Sequence, residues 1–200
     1  SGVSEKGDDR ISWREGDIFC LPGGKAATVH EAVEDAVLYS VSDDPALRFL
    51  GAAAPEAGER AIEAVLYPKE LTQFRLNELE ELKLPDDAPG RAINLSSDAM
   101  EITKTCLPSM TLTFNLVPPG DQQRPHRHNA AALVLVLKEG GCHSTIGGQR
   151  LDWSANAVLL TPAGDVHTHS NSRDNGWALA LIVQDGGFYY HCRTMGFSFA

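Results

Sequence analysis

From residue 110 to residue 183 the chain repeats one unit, a short apolar or alternating stretch followed by a turn rich in Gly or Pro. The stretches are residues 110–117, 131–137, 158–160 and 178–183. They are separated or bounded by Pro118-Pro119-Gly120, Glu139-Gly140-Gly141, Gly147-Gly148, Pro162-Ala163-Gly164 and Asp185-Gly186-Gly187. Val, Leu and Thr dominate the stretches, and no segment of helical period interrupts them. Many short strands at this spacing suggest a sandwich, jelly roll or barrel. Residues 101–200 are therefore expected to be all-β.

The upstream half is mixed. Residues 18–21 and 36–41 read as strands, broken by Pro22-Gly23-Gly24 and Asp43-Asp44-Pro45. Residues 51–90 turn to Ala, Glu and Leu. There Leu71, Phe74, Leu79 and Leu82 fall near helical spacing, which predicts one amphipathic helix over 69–83. Residues 85–90, Pro-Asp-Asp-Ala-Pro-Gly, read as a linker. An internal repeat links the two ends. Trp13 precedes Pro22 by nine residues and Trp153 precedes Pro162 by nine, and each proline opens a Pro-x-Gly. Each copy then runs to an apolar stretch ending in Asp43 or Asp185. The repeat leads to the expectation that the chain begins halfway through one barrel and then contains a second, complete one.

Composition narrows the partners. A formal charge of −10 argues against a nucleic-acid or anionic-membrane surface, since both need clustered Lys and Arg. No apolar run approaches the roughly 20 residues needed to cross a bilayer, and the first ten residues are too polar for a signal peptide. The four cysteines are scattered without a CxxC pair, which fits free thiols in a cytoplasmic protein.

Of the seven histidines, five lie between residues 126 and 169, four of them in His126-Arg127-His128 and His167-Thr168-His169. In a strand, residues i and i+2 share a face, so His126 and His128 can both point inward while Arg127 points out. Neutral imidazoles suit Fe, Zn, Cu, Ni and Co, and three of them leave coordination positions open. His169 shares a face with His167 and is a candidate catalytic base or a pocket-lining group. His143, His191 and His30 read as ordinary polar residues.

The surrounding residues resemble the two cupin motifs, those of a double-stranded β-helix or jelly-roll barrel. Gly120 is followed after five residues by His126-Arg127-His128, after four more by Leu133 and after six more by Gly140. The second motif reads Pro162-Ala163-Gly164-Asp165-Val166-His167, with Asn171 after three further residues. Two positions depart from the pattern. Leu133 stands where the first motif supplies a carboxylate ligand, and Asn156 replaces the glycine that opens the second. The resemblance implies a metal held by His126, His128 and His167, with Gln122 or Gln123 as a further ligand left open. It also divides the chain: residues 1–50 as a partial, degenerate cupin half made of second-motif strands, 51–100 as a helical linker, and 101–200 as the complete barrel.

With three histidines and a preceding half-barrel, the chain is similar to the gentisate 1,2-dioxygenase group of bicupins. Residues 13–19 (Trp-Arg-Glu-Gly-Asp-Ile-Phe), residues 35–43 and Pro125-His126-Arg127-His128 carry that likeness. It implies a metal-dependent, ring-cleaving dioxygenase that takes a small hydroxyaromatic carboxylic acid and O₂, with Fe(II) as cofactor and Zn, Ni, Mn or Co as alternatives. Arginine is the expected partner for the acid. Where family members carry one after His-x-His, this chain has Val134, leaving Gln123, Arg124 and Arg193 as substrate-binding candidates. The position matching His167 in the first copy is Ala27, so that copy builds no such site, and its open sheet edges suggest a homodimer or higher homo-oligomer. A non-catalytic metal- or ligand-binding cupin, and a cupin isomerase or lyase, remain as alternatives.

Overall fold

The first two strands arise where the sequence looks least promising. In the computed structural model, which describes residues 1–53, 60–85, 88, 90–172 and 176–200, β1 (Gly2–Lys6) and β2 (Asp9–Trp13) form an antiparallel hairpin. Gly7 makes the tight turn at φ 61°, a left-handed conformation that suits glycine. β3 (Ile18–Cys20) follows, and β4 (Thr28–Ala32) pairs with β1 to give the order β2-β1-β4. β4 is exposed along its whole length.

The predicted strand at 36–41 does not form. Those residues have no sheet partner, and the Val37 side chain is fully in solvent. A strand needs a ladder on at least one edge, and the sheet that its counterpart in the second copy joins has no equivalent here. Instead of a break, Asp43-Asp44-Pro45 starts a short helix, α1 (Asp44–Phe49), with Pro in its first turn where a missing N–H is tolerated.

β5 (Val65–Tyr67) pairs with β3, and α2 (Lys69–Glu81) follows. The Asp17 carboxylate accepts from the Lys69 N–H and so caps α2 from outside it. At the other end Arg91 donates to the carbonyls of Leu79 and Leu82, which the helix itself leaves unpaired. The buried face of α2 is Thr72, Leu76 and Leu79. Leu71, Phe74 and Leu82 are each more than half exposed, so the sequence assigned the wrong stripe apart from Leu79. Of the predicted linker, Asp86, Asp87 and Pro89 lie outside the described residues.

The C-terminal half is two antiparallel five-stranded sheets face to face. One has the order β12-β9-β14-β7-β6, from β6 (Arg91–Leu95), β7 (Thr111–Val117), β9 (Ala132–Lys138), β12 (Val158–Thr161) and β14 (Ala178–Gln184). The other has the order β11-β10-β13-β8-β15, from β8 (His126–His128), β10 (Cys142–Ile146), β11 (Gln149–Asp152), β13 (His167–Asn171) and β15 (Phe197–Phe199). Four stretches read as strands from the sequence are present. A five-residue helix, α3 (Gly187–His191), interrupts the all-β run before β15.

Alternation along the strands splits the core in two. Leu112, Phe114 and Leu116 of β7, with Leu181 and Val183 of β14, face outward onto Cys20, Tyr67, Leu76 and Leu79, which fastens the N-terminal elements and α2 to the barrel. Val134 and Val136, with Ala178, Ala180 and Ile182, face inward with Val117 and Trp153. Both groups remove apolar surface from water, the dominant favourable contribution to folding.

The repeat is visible in contacts. Trp153 Nε1 donates to Ser144 Oγ at 2.7 Å, and that hydroxyl meets His169 Nδ1 at 2.8 Å. Trp13 Nε1 donates to Ser4 Oγ at 2.9 Å, and that hydroxyl meets His30 Nδ1 at 2.7 Å. The Ser-to-Trp separation is nine in both copies, whereas Ser-to-His is 26 in the first and 25 in the second. The first copy therefore carries one extra residue in its loop. Register follows: Lys6 pairs with Thr28 as Ile146 pairs with His167. The counterpart of His167 is Thr28, one residue beyond Ala27.

Candidate metal centre

β13 lies beside β8, and His167 sits directly opposite His126 across the ladder. His128 shares the face of His126 while Arg127 points outward into solvent, as period-two alternation requires. Ring centroids of His126 and His128 lie 4.3 and 4.7 Å from that of His167. One ligand nitrogen from each ring lies within 4.8 Å of the others, a group that could hold a metal ion.

Main-chain carbonyls fix which nitrogen is free. His126 Nδ1 lies 2.9 Å from the Arg124 carbonyl, His128 Nδ1 2.7 Å from that of Ala130, and His167 Nδ1 2.9 Å from that of Asp165. A carbonyl only accepts, so each Nδ1 carries the hydrogen and each Nε2 keeps its lone pair. Such tethers set ring orientation and raise ligand basicity. Burial pushes His126 below the ordinary histidine range and His167 down to about 4, so both rings are neutral at neutral pH. Three imidazoles whose Nε2 lone pairs remain as acceptors suit a divalent transition metal, and Gln184 Nε2 lies 3.4 Å from that of His128.

His169 is held differently. Ser144 Oγ already accepts from Trp153, and its own hydrogen finds an acceptor in His169 Nδ1. That assignment leaves the His169 hydrogen on Nε2. Burial, helped by the neighbouring histidines, takes its pKa down to about 3. Burial thus favours the neutral form of the ring.

The rings line a cavity of about 260 Å³ between the two sheets. Its apolar wall includes Val134, Ile182, Met195 and Phe197, and its polar wall Thr111, Thr113 and Asn115 of β7. Val158 and Leu160 point out of the barrel at 46% and 57% exposure, and Thr161 of the same strand lines the cavity.

Among the substrate-binding candidates, Gln123 lines the cavity. Its side chain donates to Asn115 Oδ1 at 2.7 Å, and its N–H donates to the His169 carbonyl at 2.9 Å. Gln122 is exposed and absent from the wall. Arg124 lies over the Phe199 ring at 3.9 Å, and Arg193 is exposed after α3; neither lines the cavity. Leu133 turns to the outer face, and Ala132, one residue earlier, occupies the cavity side of β9. Alanine has no donor atom, so the absence of a carboxylate from that strand stands. Asn156 adopts φ 64°, a left-handed conformation that asparagine tolerates better than most residues.

Lys104, Thr161, Asn115, Gln184 and Phe197 also line the cavity and escaped the sequence reading. One signal was available: Thr111, Thr113 and Asn115 recur every second residue in an otherwise apolar strand, which marks a polar inner face.

Residues 114–183 match the family described as Cupin domain. The C-terminal barrel is a cupin. The chain is 26% identical over 121 residues to gentisate 1,2 dioxygenase 1 of Aquipseudomonas alcaligenes, a match covering 60% of this chain and 34% of that protein. It is 36% identical over 77 residues to 5-aminosalicylate 1,2-dioxygenase of Comamonas sp, covering 36% of this chain and 21% of that one. Salicylate 1,2-dioxygenase from Pseudoaminobacter salicylatoxidans, solved with gentisate, superposes with TM-score 0.65 at 17% identity over 78% of this chain and 45% of its own. The cupin and its N-terminal elements thus span about a third or less of these two curated relatives.

Proposed function

We propose that the cupin holds one divalent metal ion, Fe(II) in first place, through Nε2 of His126, His128 and His167. We further propose that it opens the ring of a small hydroxyaromatic carboxylic acid with O₂. The observation that carries this reading is the convergence of three imidazoles, each tethered through Nδ1, on one cavity wall. Likeness to dioxygenases of gentisate and 5-aminosalicylate supports the substrate class.

A bound ion would bring ring and O₂ together and let electron density pass between them. The protein's own residues supply the setting. His169 offers Nε2–H to an oxygen of the bound acid, with Ser144 and Trp153 holding its orientation. Gln123 and Asn115 brace each other on the polar wall. Val134, Ile182 and Phe197 exclude water from the apolar side. A volume of about 260 Å³ has room for a small aromatic acid.

The N-terminal elements serve as a degenerate half-cupin in this reading, with residues 51–100 as the connection and 101–200 as the working barrel. The exposed β4 edge supports a homodimer or higher homo-oligomer, and free Cys20, Cys106, Cys142 and Cys192 support a reducing, cytoplasmic setting. No helix among the described residues is long and apolar enough to cross a membrane.

The test is oxygen uptake after anaerobic Fe(II) loading, with gentisate, salicylate, 5-aminosalicylate and 1-hydroxy-2-naphthoate. Uptake with a single-ring acid, lost in His128→Ala, is the expected result. A second reading, a metal-holding protein that binds an acid without turnover, draws on the lack of an arginine among the described residues of the cavity wall. Tight binding without oxygen uptake would select it.

A further inference from the structure

We propose that Lys104 anchors the carboxylate of the bound acid and so makes the cavity selective for anions; this rests on the substrate class proposed above. Among the described residues, Lys104 is the one lysine or arginine that lines the cavity, and no aspartate or glutamate lines it. The whole chain carries a formal charge of −10, yet the negative side chains stay off this wall. A carboxylate brought into this cavity loses part of its hydration and needs a cation or several donors in exchange.

The other cations of this region are engaged elsewhere. Arg124 lies over Phe199, Arg127 points outward from β8, and Arg91 is bound to the end of α2 and lies over Trp177. Lys104 takes part in no ion pair among the described residues.

Its backbone is built into place. Lys104 has φ 55°, and its N–H donates to the Met100 carbonyl at 2.8 Å. The next two residues, Thr105 and Cys106, are buried; Thr105 Oγ1 bonds Thr103 Oγ1 at 2.9 Å and the Cys106 N–H bonds the Met110 carbonyl at 3.2 Å. A pinned, left-handed turn thus presents a long, exposed cationic side chain at the cavity. A lysine ammonium acts as a mobile point charge, suited to acids that differ in ring substitution.

The experiment measures binding to Zn(II)-loaded protein without turnover, using gentisate and its neutral counterpart lacking the carboxylate, hydroquinone. Lys104→Gln keeps most of the stem and the turn but removes the charge. It is expected to weaken gentisate binding about tenfold to a hundredfold, as for loss of a charge-assisted contact. Hydroquinone binding and zinc content should stay within about twofold, and Lys104→Arg should restore most of the gentisate affinity. Gentisate binding to the wild type should weaken with added salt, and that dependence should shrink in Lys104→Gln. Equal loss for both ligands, or unchanged gentisate binding, would overturn the assignment while leaving the dioxygenase reading intact. Failure of the wild type to bind any of the acids would remove both.

Discussion

The N-terminal sheet and the C-terminal barrel contain the same device in different surroundings. Each has a hairpin, a third strand beside it, and a Trp–Ser–His chain of hydrogen bonds across them. In the barrel, β13 is flanked on its free side by β8, and the sheet is covered by β9, β14 and β7. There His169 is 3% exposed and His167 meets His126. In the first copy β4 has no second neighbour among the described residues, His30 is exposed, and Thr28 stands where His167 would be. The Trp–Ser–His chain therefore holds a strand to its hairpin in both places. Metal chemistry requires the additional strand that brings His126 and His128.

The largest expected effect comes from exchanging the two equivalent positions. His167→Thr makes the barrel resemble the first copy and should weaken metal binding by more than the roughly hundredfold typical of losing an outer-shell partner. Thr28→His should create no second site, because no β8 counterpart faces it. Isothermal titration with Zn(II) reads both, and a gain of a second equivalent in Thr28→His would break the comparison.

Acid should act on the barrel next. Burial holds His126 below 6.5, His167 near 4 and His169 near 3, so between those values and 6.5 the unfolded chain binds more protons than the folded one. Their contribution is fully present above about 6.5 and is lost as pH falls towards 4 and below. Denaturant midpoints of the metal-free protein should fall across that window. Replacing His169 with Gln should flatten the slope.

The hydroxyls are the third lever. Ser144→Ala leaves the buried Trp153 N–H and His169 Nδ1 without partners and should cost about 1–3 kcal/mol, a Tm drop of about 2–4 °C per kcal/mol for a chain of this size. Ser4→Ala should cost less, since exposed His30 can turn to water. A larger loss at Ser4 would show that the two networks do not differ by burial.

The smallest effect concerns one turn. Asn156 at φ 64° lies three residues after Trp153, and Gly16 at φ 85° lies three after Trp13. Asn156→Gly gives the second turn the residue of the first and should shift stability by less than about 1 kcal/mol, measured by thermal melting.

Much of this was legible in the residues themselves. The barrel strands announce themselves through Val- and Leu-rich alternation, and His126, His128 and His167 stand at spacings that strands turn into a cluster. The tryptophans and prolines betray the repeat. What was hidden shares one cause: sequence shows a period but not what lies opposite. The β1–β2 hairpin buries Ser4, Ile11 and Trp13 among polar residues, too few apolar positions to mark a strand. Residues 36–41 have strand composition and no partner. On β9 a shift of one residue separates Leu133 outside from Ala132 inside, since a single step reverses every face. Lys104 sits in an irregular turn whose place beside the cavity depends on contacts distant in sequence.

The most direct test is elemental analysis of the wild-type protein after exposure to Fe(II), Zn(II), Ni(II), Mn(II) and Co(II) and removal of excess, beside His126→Ala and His128→Ala. The account predicts about one ion per wild-type chain and near none in either variant, with far-UV circular dichroism unchanged. Wild-type protein that retains none of these metals, or variants that retain as much as the wild type, would contradict it.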